Sequence, residues 1–285
     1  MSDTLETLRG KIGGAEDLES VVRSMKALAA SSIGQYEKSV LAVGDYYRTV
    51  EMGLAVCLRQ SGPDTPERSE PAETGTISAV VFGSDQGLVG QFNDVLAEFV
   101  VSTLAPLPGR KSVWAVGERI HARLTDAGLP PAGLFPVPTS VGTITPLIGQ
   151  ILTRTEAGSL YLFHNGPKSE TLYEPQVQRL LPLDRQWQQD LTRIHWPTTS
   201  LPEVLGDREE TLLALVHEYL FVSLFRACAE SLASENASRL AAMQRAEKNI
   251  DELLDGLHQT FNRQRQSSID EEMFDVISGF EAQKT

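Results

Sequence analysis

The 285-residue sequence has only two cysteines, Cys57 and Cys228, and they make no metal or redox spacing. Structural zinc, iron–sulfur and haem attachment therefore have no support, and each thiol is expected to be small and buried in a helix. Basic excess is absent too: the formal net charge is −13, which argues against a nucleic-acid binder working through its net field. No uninterrupted apolar run reaches about 18 residues, so no membrane span is expected. The N-terminus carries Asp3 and Glu6 and no apolar core of a signal or transit peptide. Proline is missing from both ends, since all 15 prolines fall between Pro63 and Pro202. Proline removes a backbone donor and clashes inside a helix. Two long helices around a proline-containing middle are the expected plan.

The longest such stretch is Asp207 to Ala282. As one helix it would be about 110 Å long. Its apolar residues recur at three and four, at Leu240, Met243, Ala246, Ile250, Leu253, Leu257 and Phe261, a narrow seam that calls for a partner helix. Asp207 is placed to cap it, with Glu210 at the acid position of a capping box. A matching stripe runs through Leu8, Ile12, Ala15, Leu18, Val22, Met25, Ala29, Tyr36, Val40, Val43, Tyr47, Val50 and Leu54. Gly13 and Gly14 weaken that helix, and Gly62–Pro63 should stop it. The two seams predict a long antiparallel two-helix coiled coil of the N- and C-terminal helices.

The middle alternates strand-like and helix-like pieces. Ile77–Phe82, Ser112–Val116 and Ser159–Phe163 read as strands, and Gln176–Leu181 as a further one. Helical spacing covers Phe92–Val100, Ile120–Ala127 and Pro146–Thr155. This rhythm implies a small Rossmann-like open α/β sheet domain inserted between the helices. The chain accordingly divides into 1–60, an N-terminal coiled-coil helix; 61–76, a flexible linker; 77–206, the α/β domain with a return segment; and 207–285, the C-terminal coiled-coil helix.

Chemistry-bearing motifs are few. Gly83-Ser84-Asp85-Gln86-Gly87-Leu88-Val89-Gly90 follows a strand and precedes a helix, where a nucleotide fold places its phosphate loop. Its glycine spacing does not match that fingerprint, and no G-K-[ST] follows. A tight turn that needs small residues is the plainer reading. The histidines His121, His164, His195, His217 and His258 are scattered without metal spacing, and no nucleophile elbow occurs. No catalytic residue, cofactor site or metal site is expected. A nucleotide-dependent α/β enzyme with a coiled-coil arm is the alternative, and a static coiled-coil scaffold a third reading.

Four segments resemble one family. Gly83–Asn93 is similar to the G-S-D-[RK]-G-L-C-G-[GA]-[FY]-N segment of the gamma subunit of rotary F-type ATP synthases. Val21–Ser31 resembles its I-T-K-A-M-x-M-V-A-A-S segment, Ser234–Met243 its S-E-x-x-[SA]-R-M-x-A-M stretch, and Asn262–Ile269 its N-x-x-R-Q-x-x-I-T close. The matches occur in order along the chain. The resemblance implies a central rotor shaft that couples proton or sodium flow to ATP synthesis or hydrolysis and carries no catalytic residue. Its implied partners are the alpha and beta subunits of the catalytic head, the small epsilon subunit and the membrane c-ring. Its implied place is the cytoplasmic face of the bacterial inner membrane, held peripherally. By matching positions, Met25, Lys26, Arg265, Gln266 and Asp275 are the candidate rotor–stator contacts. Departures at Ala27, Val89, Asp270 and Gly13–Gly14 point to a divergent branch such as the alternate ion-pumping ATPase of some bacteria.

Overall fold

The computed structural model describes residues 4–60, 75–155, 158–169, 172–194, 196–198, 200, 202–204 and 206–282. Helix α1 is Leu5–Gln60 and helix α6 is Arg208–Ala282. The Gly62–Pro63 stop, most of the 61–76 linker and His195 lie outside the described residues. The Glu210 N–H donates to the Asp207 carboxylate at 2.9 Å, which supplies the expected cap of α6.

The chain forms two compact units, residues 1–29 with 240–285, and residues 30–239. The division cuts through both long helices and does not separate helix from sheet, because the inner part of each helix shares the sheet's core.

In the first unit α1 and α6 run antiparallel. Arg9 lies over the Phe261 ring at 5.5 Å, and Lys26 meets Glu247 at 2.5 Å. On α1 the inward positions are Leu8, Ile12, Ala15, Glu19, Val22, Lys26 and Ala29, and the same count continues in the second unit through Ile33, Tyr36, Val40, Val43, Tyr47, Val50 and Leu54. The steps alternate four and three without a slip, which is a strict heptad seam. Four residues read into the seams from sequence are therefore beside them: Leu18 is 58% exposed, Leu253 is 53% exposed, and half-buried Met25 and Ala246 give their places to Lys26 and Glu247. The places of Leu18 and Leu253 belong to Glu19 and Leu254. An apolar-first reading takes the nearer hydrophobe, whereas packing follows the alternation. Helix α1 passes through Gly13 and Gly14 unbroken, and a side chain at either would meet open space.

The second unit is built on a five-stranded sheet in the order β3-β2-β1-β4-β5. Its strands are β1 Ile77–Phe82, β2 Lys111–Val116, β3 Gly133–Phe135, β4 Ser159–Ser169 and β5 Leu172–Leu181. Strands β1 to β4 are parallel to one another where they pair, and β5 is antiparallel to β4. Strand β3 is too short for a periodic signal. Strand β4 runs beyond the expected Phe163, through Pro167, because β1 pairs with it only as far as His164. Past that point it has one neighbour, so a missing N–H is tolerated. Helices α2 (Phe92–Leu104) and α3 (Glu118–Asp126) cover one face around Leu96, Val100, Ile120 and Leu124. Helices α4 (Ile144–Arg154), α5 (Arg185–Thr192), α1 and α6 cover the other, around Leu54, Phe82, Ile148, Leu162 and Leu224. Both cysteines are buried thiols.

Within this unit the apolar content of α6 has a structural cause. An 18-residue window of α6 has mean hydropathy 1.5, long and apolar enough by length and composition to cross a membrane, and 44% of it is buried inside the fold. Charged residues of α6 interrupt its apolar run. Two of them, Arg226 and Glu230, are used in packing: Glu230 accepts from Arg226 Nε at 2.8 Å and pairs with His164 Nε2 of β4 at 2.9 Å. Burial pushes the Glu230 carboxyl up, but the hydrogen bonds from His164 and Arg226 outweigh it and hold the group below its ordinary value.

These contacts set two expectations. Leu254→Ala should cost about 1–2 kcal/mol and Leu253→Ala less than about 0.5 kcal/mol in urea unfolding; equal losses would contradict the seam assigned here. Glu230 has a folded pKa below its unfolded value of roughly 4.3, so its stabilisation is present above that pH and is lost as pH falls through the folded value. Glu230→Gln should therefore flatten that part of the acid limb when stability is measured against pH, and an unchanged limb would show that the pair is not coupled to folding.

Candidate functional site

The glycine-rich segment between β1 and α2 makes a turn in which Ser84 and Asp85 are bonded internally. A Cβ at Gly83 would fall 2.3 Å from Cβ of Ile120, so only glycine lets α3 close on β1. The Ser84 N–H donates to Asn93 Oδ1 at 3.1 Å, and Asn93 Nδ2 donates back to Ser84 Oγ at 2.8 Å. The Asp85 carboxylate accepts from the Glu118 N–H and from the Val137 N–H, each at 2.9 Å, which caps α3 from a distance. Gly117 (φ 116°) permits the approach, since a Cβ there would meet the Ser84 carbonyl oxygen at 2.6 Å. A phosphate cradle needs free backbone donors and a positive field. Here the Ser84 donor is spent and a carboxylate occupies the turn.

Helix α6 is tied to this turn by a polar strip. Ser231 Oγ donates to the Phe82 carbonyl at 3.0 Å, and Ser238 Oγ donates to the Val89 carbonyl. Asn165 of β4 donates to the Phe92 carbonyl at 3.0 Å. Glu235 and Arg239 pair at 2.6 Å one turn apart, both nearly buried. Burial raises the Glu235 carboxyl against the opposing Arg239 charge, and Asp85 raises it further. The strip is a mechanical joint between helix and sheet. His164 is held at Nε2 by Glu230, and Ser223 Oγ, in the same cavity, is not bonded to it, so no base-activated nucleophile is set up there. Among the described residues no group of three or more His, Cys, Asp and Glu side chains gathers as a metal site. In the sequence His164 is one of five scattered histidines, and nothing near it points to Glu230. The interruption of the apolar part of α6 by Arg226 and Glu230, four apart, is the available signal.

The candidate contacts lie in the first unit and do not form one cluster. Met25 is half-buried, and Lys26 points to Glu247 across the helix pair. Arg265 and Gln266 are exposed on α6, eighteen residues beyond Glu247 and so about 27 Å along the helix. Asp275 is exposed further on. With Arg9 level with Phe261, residues from about 270 onward lie past the described start of α1. There Ile269, Met273, Phe274, Val276 and Ile277 are all exposed.

The family model described as ATP synthase matches residues 4–283. The ATP synthase gamma chain of Syntrophus aciditrophicus is 29% identical, over 98% of this chain and 98% of that protein. That of a Cyanothece species is 28% identical, over 98% and 99%. Among solved structures, the rotor of the Euglena gracilis mitochondrial ATP synthase superposes with a TM-score of 0.59 at 16% identity, covering 93% of this chain and 98% of that one. The central stalk of the Tetrahymena thermophila mitochondrial enzyme, solved with its c-ring, gives 0.57 at 21% identity, covering 79% and 99%. With a family model spanning nearly the whole chain, relatives named as gamma chains and a stalk-like fold, the chain belongs to the ATP synthase gamma-chain family.

Proposed function

We propose that this gamma chain is the central rotor shaft of an F-type ATP synthase, coupling proton or sodium flow across a membrane to ATP synthesis or hydrolysis. The observation that carries this reading is the antiparallel heptad pairing of α1 and α6 in the first unit, on helices of 56 and 75 residues. A two-helix rod with interlocked side chains resists twist and bending far better than a single helix, and its faces differ in chemistry. Turning it inside a ring of subunits would present a different face to each, biasing each between open and closed states.

In this reading the subunit itself is non-catalytic, and ATP chemistry belongs to alpha and beta partners. The epsilon subunit and the c-ring bind the sheet-bearing part, and the complex lies on the cytoplasmic face of a bacterial membrane. Two exposed apolar groups of residues support a surrounding partner. One is Leu18, Val21 and Leu28 on α1, beside Met25; the other is Ile269 to Ile277 on α6. Apolar side chains of this size left in water on a rod are expected to be covered in an assembly. Met25, Lys26, Arg265, Gln266 and Asp275 are proposed as rotor–stator contacts on the same two stretches.

The test is reconstitution of the full chain with alpha and beta subunits and a probe attached to its sheet. ATP turnover is expected to rotate the probe in one direction; turnover without rotation would end the proposal. Arg265→Ala should lower coupled activity severalfold while leaving the unfolding midpoint unchanged, because the side chain is exposed and outside the seam. A parallel loss of folded fraction would place Arg265 in folding and not in contact.

A further inference from the structure

The seam of the first unit contains three charged positions in otherwise apolar or small company: Glu19 and Lys26 on α1, and Glu247 on α6. Charges at heptad core positions cost stability, and their best-attested use is to specify register. Here they are paired. Lys26 Nζ donates to Glu247 Oε2 at 2.5 Å, and Arg23 Nε is 3.9 Å from Glu247 Oε1. Arg23 also bridges to Glu19 on its own helix. Glu247 is 19% exposed and Lys26 36%, so the pair is half-sheltered from solvent screening.

The arrangement penalises the alternatives. Sliding the helices by one heptad in one direction brings Glu19 opposite Glu247, a like-charge contact. In the other direction Lys26 faces Leu254 and Glu247 faces Ile33, so two half-sheltered charges lose each other as partners. The apolar residues distinguish these registers weakly, because Ala15 and Ala29 on α1 are small side chains that fit either way. Among the described residues, Lys26 and Arg23 reach Glu247 from α1, Glu19 holds Arg23 on its own helix, and on α6 the neighbouring Lys248 turns to Glu252.

We infer that Glu247, with Lys26, Arg23 and Glu19, forms a charged layer that holds the register of the α1–α6 pair in this unit. The layer is a positioning device: it fixes the level along α6 at which each turn of α1 sits in this unit. The claim concerns the helix pair itself and stands whether or not the chain rotates.

Hydrogen exchange on the full chain tests it, read over residues 5–29 and 240–268. Glu247→Gln keeps the shape and removes the charge. It should speed exchange in both segments by about tenfold and leave the sheet amides unchanged. Raising salt should speed exchange in the native chain and have little effect on Glu247→Gln. The exchanged pair Lys26→Glu with Glu247→Lys should restore protection to within about threefold, whereas Lys26→Glu alone should be worse than Glu247→Gln. An unchanged rate in Glu247→Gln, a salt-independent native rate, no rescue in the exchanged pair, or native exchange already as fast as in a free peptide would each overturn the inference.

Discussion

The constraint on which this protein depends is the narrow apolar stripe of each long helix. A helix end as long as residues 240–282 of α6, whose inward positions are a single seam, cannot be stable alone in water, and no globular core in its unit covers it. Another helix with the same alternation can. The strict four-three count on α1, matched on α6 by Met243, Glu247, Ile250, Leu254, Leu257, Phe261, Gln264 and Ser268, keeps the contact line facing inward turn after turn. Proline at any of these places would cut the ladder, which is why the prolines are confined to the middle of the chain.

In the sheet-bearing unit the same helices meet a different demand. There α6 faces a sheet, and its inward residues widen from a seam to a face: Tyr219, Val222, Leu224, Phe225, Cys228 and Leu232 are all buried. Apolar contact alone leaves such a helix free to slide. Directional contacts prevent it. Ser231 and Ser238 donate to backbone carbonyls of β1 and its turn, and Glu230 joins β4 through His164. The glycine-rich segment, which in other folds receives a phosphate, serves here as the socket of that joint, with Ser84 bonded to Asn93, the Asp85 carboxylate to the Glu118 and Val137 N–H groups, and the Val89 carbonyl to the helix.

Charge is used twice, in different ways. In the sheet-bearing unit the buried Glu230 is satisfied on both oxygens and seats the helix. In the helix pair, Glu247 is half-sheltered and its partners are long, flexible cations, so the layer selects among registers more than it stabilises one. Beyond the pair, the acids around Asp270 and Asp275 stay solvated beside exposed apolar residues.

Much of this is legible in the amino-acid sequence itself. The absence of proline at the ends, the three-four spacing and the turn residues after Phe82 determine two long helices, their need for each other, and an α/β layer between. Those features are local: they depend on the period of one element and on what a backbone tolerates. Tertiary structure decided the phase of the seams, putting Glu19 and Leu254 inside and Leu18 and Leu253 outside. It also decided the short strand β3, the reach of β4 through Pro167, the division into compact units, and the bond between His164 and Glu230. Each of these depends on which neighbour an element meets, and a single chain taken in order does not contain that information. A charged side chain at a core position is acceptable only once its partner is in place, and for Lys26 and Glu247 that partner is 221 residues away.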